Sequence, residues 1–317
     1  MHYQSRTLRL QTDAEYTKRL PISLCGELLR QLRPLMTYSV RMAVEGSSIA
    51  AGRMPSWLSM ASDVRLIDYA KDRTDTLICL EAPALGAAAP ELYEQAELWP
   101  TKPGPEFTAI ELLSEVVDEV DREDQDSVRY DNPLLRKLSG IRRIFSDHLR
   151  AVALPTANRK SQQPHLTQQT ADVAARLAQS TPPPQETRIV GQLDMVRRST
   201  RSFGVQLDDG SEVHGVLENA DEVEQLRQYF GRRVLILGRA VYRPSGSLLR
   251  IDAHAIENGE GQPRIFSKAP PARSRRISLT RNITAGRGWS SFSGFFGAWP
   301  GSETDAQWNE MMLELNK

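Results

Sequence analysis

Residues 187–257 constrain the fold more than any other stretch of the chain, because their apolar residues change period at regular intervals between strong turn signals. Ile189, Leu193 and Met195 belong to a first strand whose phase is interrupted at Gly191, and Phe203, Val205 and Leu207 alternate on a second. Asp209-Gly210 is a strong hairpin turn, after which "SEVHGVLE" supplies a third strand. "DEVEQLRQYFG" then reads as a short helix, with Val223, Leu226 and Phe230 spaced for burial and Gly231 as its stop. "RVLILGRAVYR" and "SLLRIDAHAIE", joined by "PSGS", give two further strands.

Three strands, a helix and two strands in this order resemble the OB-fold, a five-stranded Greek-key barrel with its helix between strands three and four. That resemblance implies a binding module, since such barrels take oligonucleotides on strands two and three and on the loops between strands one and two and between four and five. Arg197, Arg198 and Arg201 in the first such loop would then meet phosphates, and Phe203 or Tyr242 would stack on a base. The same residues also fit a solvated turn and a core aromatic, with the barrel serving as a docking or spacer module.

Residues 5–153 read as an α+β domain. Thr7–Leu10 alternates as a short strand, and Leu24, Leu28 and Leu32 recur at helical spacing until Pro34, where a second helix is expected to start and run to Gly46. "DVRLIDYA" and "DTLICLEA" form a hairpin across "KDRT". Thr108 and Glu111 have capping-box spacing ahead of a helix that buries Ala109, Leu112, Leu113, Val116 and Val120. Its other face carries Glu115, Asp118, Glu119 and Asp121. A last helix, capped by Asn132 and opened by Pro133, aligns Leu134, Leu138, Ile141, Phe145 and Leu149, with Arg136, Lys137, Arg142, Arg143 and Arg150 elsewhere. The acidic and basic helices are expected to be solvated faces that pair with each other.

Pro, Gln, Thr and Ser dominate residues 154–186, which read as a linker and domain boundary with at most a short helix at "ADVAARLAQ". Asn258 to about residue 288 reads as a second, basic, disordered linker. No acidic residue lies between Glu260 and Glu303, whereas Arg264, Lys268, Arg273, Arg275, Arg276, Arg281 and Arg287 are all cationic.

Lys plus Arg and Asp plus Glu balance at 40 each, so net charge nominates neither nucleic acid nor an anionic membrane. The two cysteines, Cys25 and Cys79, suit a reducing cytoplasm and are expected to be buried thiols. The first ten residues lack the apolar core of a signal peptide, and no run reaches the roughly 20 apolar residues of a membrane span. Spacings for phosphate loops, dinucleotide loops, zinc peptidases, serine hydrolases and CxxC centres do not occur. His214 and His254 lie on barrel strands without a carboxylate at ligand spacing, so no metal, cofactor or catalytic set is assigned.

The tail, 289–317, is apolar in a way its surroundings are not. Thr304 and Gln307 have capping-box spacing, and Trp308, Met311, Met312 and Leu315 share one helical face. A helix of about a dozen residues is marginal in water, so this face needs a surface. Trp289, Phe292, Phe295, Phe296 and Trp299 precede it, and aromatics and methionines are common interface anchors.

From Phe296 onward, "FGAWPGSETDAQWNEMMLELNK" is similar to the C-terminal ends of bacterial antitoxins paired with PIN-domain ribonuclease toxins. Phe296, Gly297, Trp299, Pro300, Gly301, Glu303, Thr304 and Asp305 match, while Ser302 stands for the usual Asp, and Ala306 and Gln307 replace acidic residues. The resemblance implies a non-enzymatic protein whose tail neutralises a cognate toxin, with Arg281 or Arg287 reaching a carboxylate-lined nuclease pocket. Its partner-binding residues would be Arg281, Arg287, Phe295, Phe296, Trp299, Pro300, Trp308, Met311, Met312 and Leu315. The alternative is a nucleic-acid-binding protein that uses the barrel and the basic linker on RNA or DNA.

Overall fold

The structure, a computed structural model, describes residues 3–13, 16, 19–72, 75–93, 103–146, 148–156, 163–217, 226–263 and 266–272. Within them the chain is α+β, with a helix-covered antiparallel sheet and a closed five-stranded barrel of OB-like topology. The whole tail, including Arg281, Arg287 and the aromatic motif, lies outside the described residues, as does Val223.

The sheet has the order β2-β3-β1-β4-β5, from β1 (Tyr3–Thr12), β2 (Arg65–Asp72), β3 (Asp75–Pro83), β4 (Leu149–Ala153) and β5 (His165–Thr167). Every pairing is antiparallel, and the expected hairpin is β2-β3, with Asp72 opposite Asp75. Period-two alternation separates the two faces of the central strands: Leu8, Leu10, Ile78 and Leu80 are buried against the helices. Thr7 and Cys79 have the opposite parity, with Thr7 Oγ1 3.7 Å from Cys79 Sγ. Both cysteines are therefore free and only half-buried, not the buried thiols expected. Partial burial still pushes the Cys25 thiol pKa up.

Helix α1 (Ile22–Glu45) runs unbroken through Pro34, so no second helix starts there. Leu28, Leu32, Leu35, Met36 and Val40 are all buried along it, and this continuous apolar face outweighs the missing proline N–H. Pro34→Ala is accordingly expected to raise stability by about 1–2 kcal/mol, since it restores a backbone donor but loosens the unfolded chain. Urea denaturation would show this as a higher midpoint with an unchanged slope.

Short α2 (Ser56–Ala61) and α3 (Leu85–Ala88) follow, then α4 (Ala109–Asp121). The Thr108 N–H donates to Glu111 Oε2 at 2.9 Å, and Glu111 is also paired with Arg6 at 2.7 Å, which ties the start of α4 to the sheet. The expected apolar face of α4 is buried throughout.

Helix α5 (Asn132–Ser139) is shorter than its apolar spacing suggests, and its cap is Asp131, whose Oδ1 accepts from the Leu134 N–H at 3.2 Å. Asn132 instead donates to the Ala178 carbonyl at 3.1 Å. The chain passes into a 3-10 turn at Gly140, and Leu149 belongs to β4.

Residues 154–186 are not simply a linker. Leu154 is fully buried, β5 extends the sheet, and α6 (Gln168–Ser180) buries Ala171, Val173, Ala174 and Leu177 in the same core. A threonine pair starts the helix: the Thr170 N–H donates to Thr167 Oγ1 at 3.1 Å, and the Thr167 N–H to Thr170 Oγ1 at 3.2 Å. Polar composition hid an amphipathic element with only one apolar face.

The barrel comprises β6 (Gln185–Arg197), β7 (Ser202–Gln206), β8 (Glu212–Leu217), β9 (Arg233–Tyr242) and β10 (Leu248–Asn258), closed in the order β10-β8-β7-β6-β9. β8 and β10 are parallel, and the other pairings are antiparallel. Gly210 takes φ +81° in the expected turn. Ile189, Leu193, Phe203, Val205, Ile236 and Ile251 are fully buried in the barrel. Phe230, expected to be buried, is 59% exposed: the described helical residues before it are Leu226 and Arg227, and the following turn lets Tyr229 pack inward instead.

The start of the expected basic linker also packs against the barrel. Ser267 is buried and accepts from Arg233 Nη2 at 2.7 Å, and the Tyr242 hydroxyl reaches the Pro271 carbonyl at 3.4 Å. Among the described residues, no helix is long and apolar enough to cross a membrane.

Candidate functional site

The barrel and the helical layer meet at the β9-β10 hairpin. Val241 and Leu249, at its two sides, belong to the hydrophobic core of the helix-covered sheet rather than to that of the barrel. Ser245 and Ser247 in the turn donate to Asp126 Oδ1 at 2.5 and 2.8 Å, and these bonds lower the Asp126 pKa. Beside them, Arg250 Nη1 pairs with Asp131 Oδ2 at 3.2 Å, both side chains being nearly sealed from solvent. Arg250 Nε also bonds Asp252 at 2.7 Å.

Next to this seam opens a cleft of about 600 Å³. The C-terminal turn of α1 contributes Met42, Ala43 and Glu45, and α4 and its approach contribute Phe107, Leu112, Glu115 and Val116. From the barrel come Met195 and Arg197 at the end of β6, His214–Val216 on β8, Arg243 after β9, and Leu249 and Arg250 on β10. Its lining mixes these apolar side chains with charged ones.

That charge is largely paired. Arg129, also in the lining, bonds Glu119 at 2.6 Å and Glu115 in a closer contact. Burial raises the Glu115 pKa, against the opposing pull of Arg129. Asp118 is held by Arg122 at 2.8 Å. Glu115, Asp118 and Glu119 are thus paired with nearby arginines rather than with α5, whose extension supplies Arg142 to Asp172 of α6 at 2.8 Å, while Asp121 bonds Thr170 of α6. Arg243 differs: its Nη1 donates to the Ser247 hydroxyl at 3.2 Å and to the Leu248 carbonyl, while its Nε is buried without a hydrogen-bond acceptor among the described residues. Burial lowers the Arg243 pKa, against the pull of Asp126 and Asp124.

Of the residues expected to touch nucleic acid, Arg197 reaches the cleft and Arg198 is exposed on the β6-β7 loop. Arg201 holds φ +54°, and its carbonyl accepts from the Leu217 N–H at 2.9 Å, so part of its role is to shape the loop. Phe203 is not available for stacking: it is fully buried, with its ring over Gly215 on the neighbouring strand. Tyr242 is 1% exposed. Alternation along β7 turns Phe203 inward, the core-aromatic reading of its position.

His214 stands 3.6 Å from Glu212 on the barrel exterior, and His254 is exposed on β10. Among the described residues, no three His, Cys, Asp or Glu side chains are grouped to hold a metal ion. Sequence reasoning missed Phe107, Arg129, Met195 and Arg243 as lining residues. They come from separate elements and carry no shared local spacing. No family model, curated protein or solved structure matches this chain.

Proposed function

We propose that this chain is a non-enzymatic, antitoxin-like protein that binds and neutralises a PIN-type ribonuclease through its C-terminal segment. One observation carries the reading: the run Phe296, Gly297, Trp299, Pro300, Gly301, Glu303, Thr304 and Asp305, followed by Trp308, Met311, Met312 and Leu315 at the i, i+3, i+4, i+7 spacing of an amphipathic helix. Arg281 and Arg287, just before the motif, supply the cations suited to a nuclease pocket lined with carboxylates.

The test begins with the neighbouring reading frame, where a PIN-domain nuclease is expected and its absence would count against the reading, and continues with co-expression of the two proteins. The full chain is expected to restore growth and removal of residues 284–317 to abolish the rescue. Trp299→Ala and Trp308→Ala should each weaken binding by about 2 kcal/mol or more, roughly thirtyfold in Kd. Rescue by the truncated chain would refute the proposal. Unchanged inhibition after joint charge reversal of Arg281 and Arg287 would remove only the pocket-entry step.

A second reading, nucleic-acid binding by the barrel, is favoured by the placement of Arg197 and exposed Arg198 at the β6-β7 loop beside the cleft. Under that reading RNA or DNA affinity survives the same truncation and falls steeply with salt.

A further inference from the structure

We propose that the cleft between α1, α4 and the barrel is a binding site for a small organic anion, with a phosphate or carboxylate head and an apolar body. The proposal stands whether or not the C-terminal segment binds a ribonuclease.

Size and position come first. At about 600 Å³ the cleft lies within the range of roughly 300–1,000 Å³ typical of small-molecule sites, which favour domain junctions. Its Met42, Phe107, Leu112, Val116, Met195 and Leu249 offer a flat or branched apolar body more contact area than a bare ion could use.

The head group follows from the cations. Arg129 and Arg250 are each held by two carboxylates. Arg243 is held differently, by a hydroxyl and a carbonyl, and it has a buried Nε without an acceptor among the described residues. Arg243 is half-buried, and Asp126 and Asp124 act on it from a distance, but no carboxylate is in hydrogen-bond contact with it among the described residues, and its buried Nε would gain most from such a contact. An anion entering the cleft provides that contact after a small rotation of the side chain. Arg197 also lines the cleft.

Isothermal titration of the full-length protein tests this with AMP, GMP, 4-hydroxyphenylacetate and inorganic phosphate. At least one of the three organic anions is expected to bind with Kd below about 1 mM, and inorganic phosphate far more weakly because it has no apolar body. A nucleotide that binds while the aromatic carboxylate does not identifies the head as phosphate; the reverse identifies a carboxylate.

Arg243→Gln should weaken the bound anion roughly tenfold or more. Met195→Trp, which fills the cleft from the barrel side, should remove binding even if Arg243→Gln proves unstable. The proposal fails if none of the three organic anions binds, or if binding is unchanged in Met195→Trp. An oligothymidylate titrated alongside them gives a further outcome: the proposal also fails if it alone binds, since that would point to strand binding along the barrel.

Discussion

Asp131→Ala is expected to cost about 3–5 kcal/mol of unfolding free energy. The carboxylate is buried and receives donors from three parts of the molecule: the Leu134 N–H at the start of α5, the Ser48 N–H and hydroxyl after α1, and the Arg250 guanidinium from the barrel. Removing it uncaps a helix, strands the Ser48 donors and leaves a buried cation with Asp252 as its remaining partner. Arg250→Met should cost less, because the carboxylate would keep its other three donors. The combined variant should lose less than the sum of the two, since both remove one ion pair. Urea denaturation followed by circular dichroism measures all three. A loss below about 1 kcal/mol for Asp131→Ala would show that Asp131 does not fasten the barrel to the helical layer.

Gly215→Ala should destabilise the barrel by about 1–3 kcal/mol through overpacking. An ideal Cβ at Gly215 would lie 2.1 Å from Phe203 Cζ and 2.6 Å from both adjacent ring carbons. The two residues are direct cross-strand partners, and the ring occupies the volume a side chain would need. Phe203 is fully buried, so neither ring nor backbone has room to yield. Phe203→Leu alone should cost about 1–2 kcal/mol as lost burial, yet in the Gly215→Ala background it should recover part of the stability. Thermal unfolding of the two single variants and the double variant decides the point. Strict additivity would mean that the ring and the glycine do not share that space.

This pair also shows what the sequence could and could not convey. The barrel was legible because its signals are local: alternation on β7, Asp209-Gly210 before β8, and a change to helical spacing before β9. The capping-box spacing of Thr108 and Glu111, and the apolar face behind it, were legible for the same reason. The sequence did not decide whether Phe203 faced a ligand or the core, because both fit its position; closure of the barrel decides it. Residues 154–186 read as a linker with at most a short helix because glutamines and threonines describe a solvated face as well as they describe a linker; the helix is there, but it is longer and β5 precedes it. Pro34 misled because a local rule was outweighed by five buried side chains on one helix face. The cleft was illegible for another reason: Phe107, Arg129, Met195 and Arg243 meet only after two layers have folded.

The β9-β10 hairpin has one further consequence. Because Val241 and Leu249 complete the core of the preceding sheet, a chain cut after Ser180 would be a fragment with an open apolar seat. Produced alone, such a fragment should self-associate through the exposed patch. Produced together with residues 181–317, it should be complemented in trans, since the missing hairpin carries both the apolar plug and the arginine that Asp131 awaits.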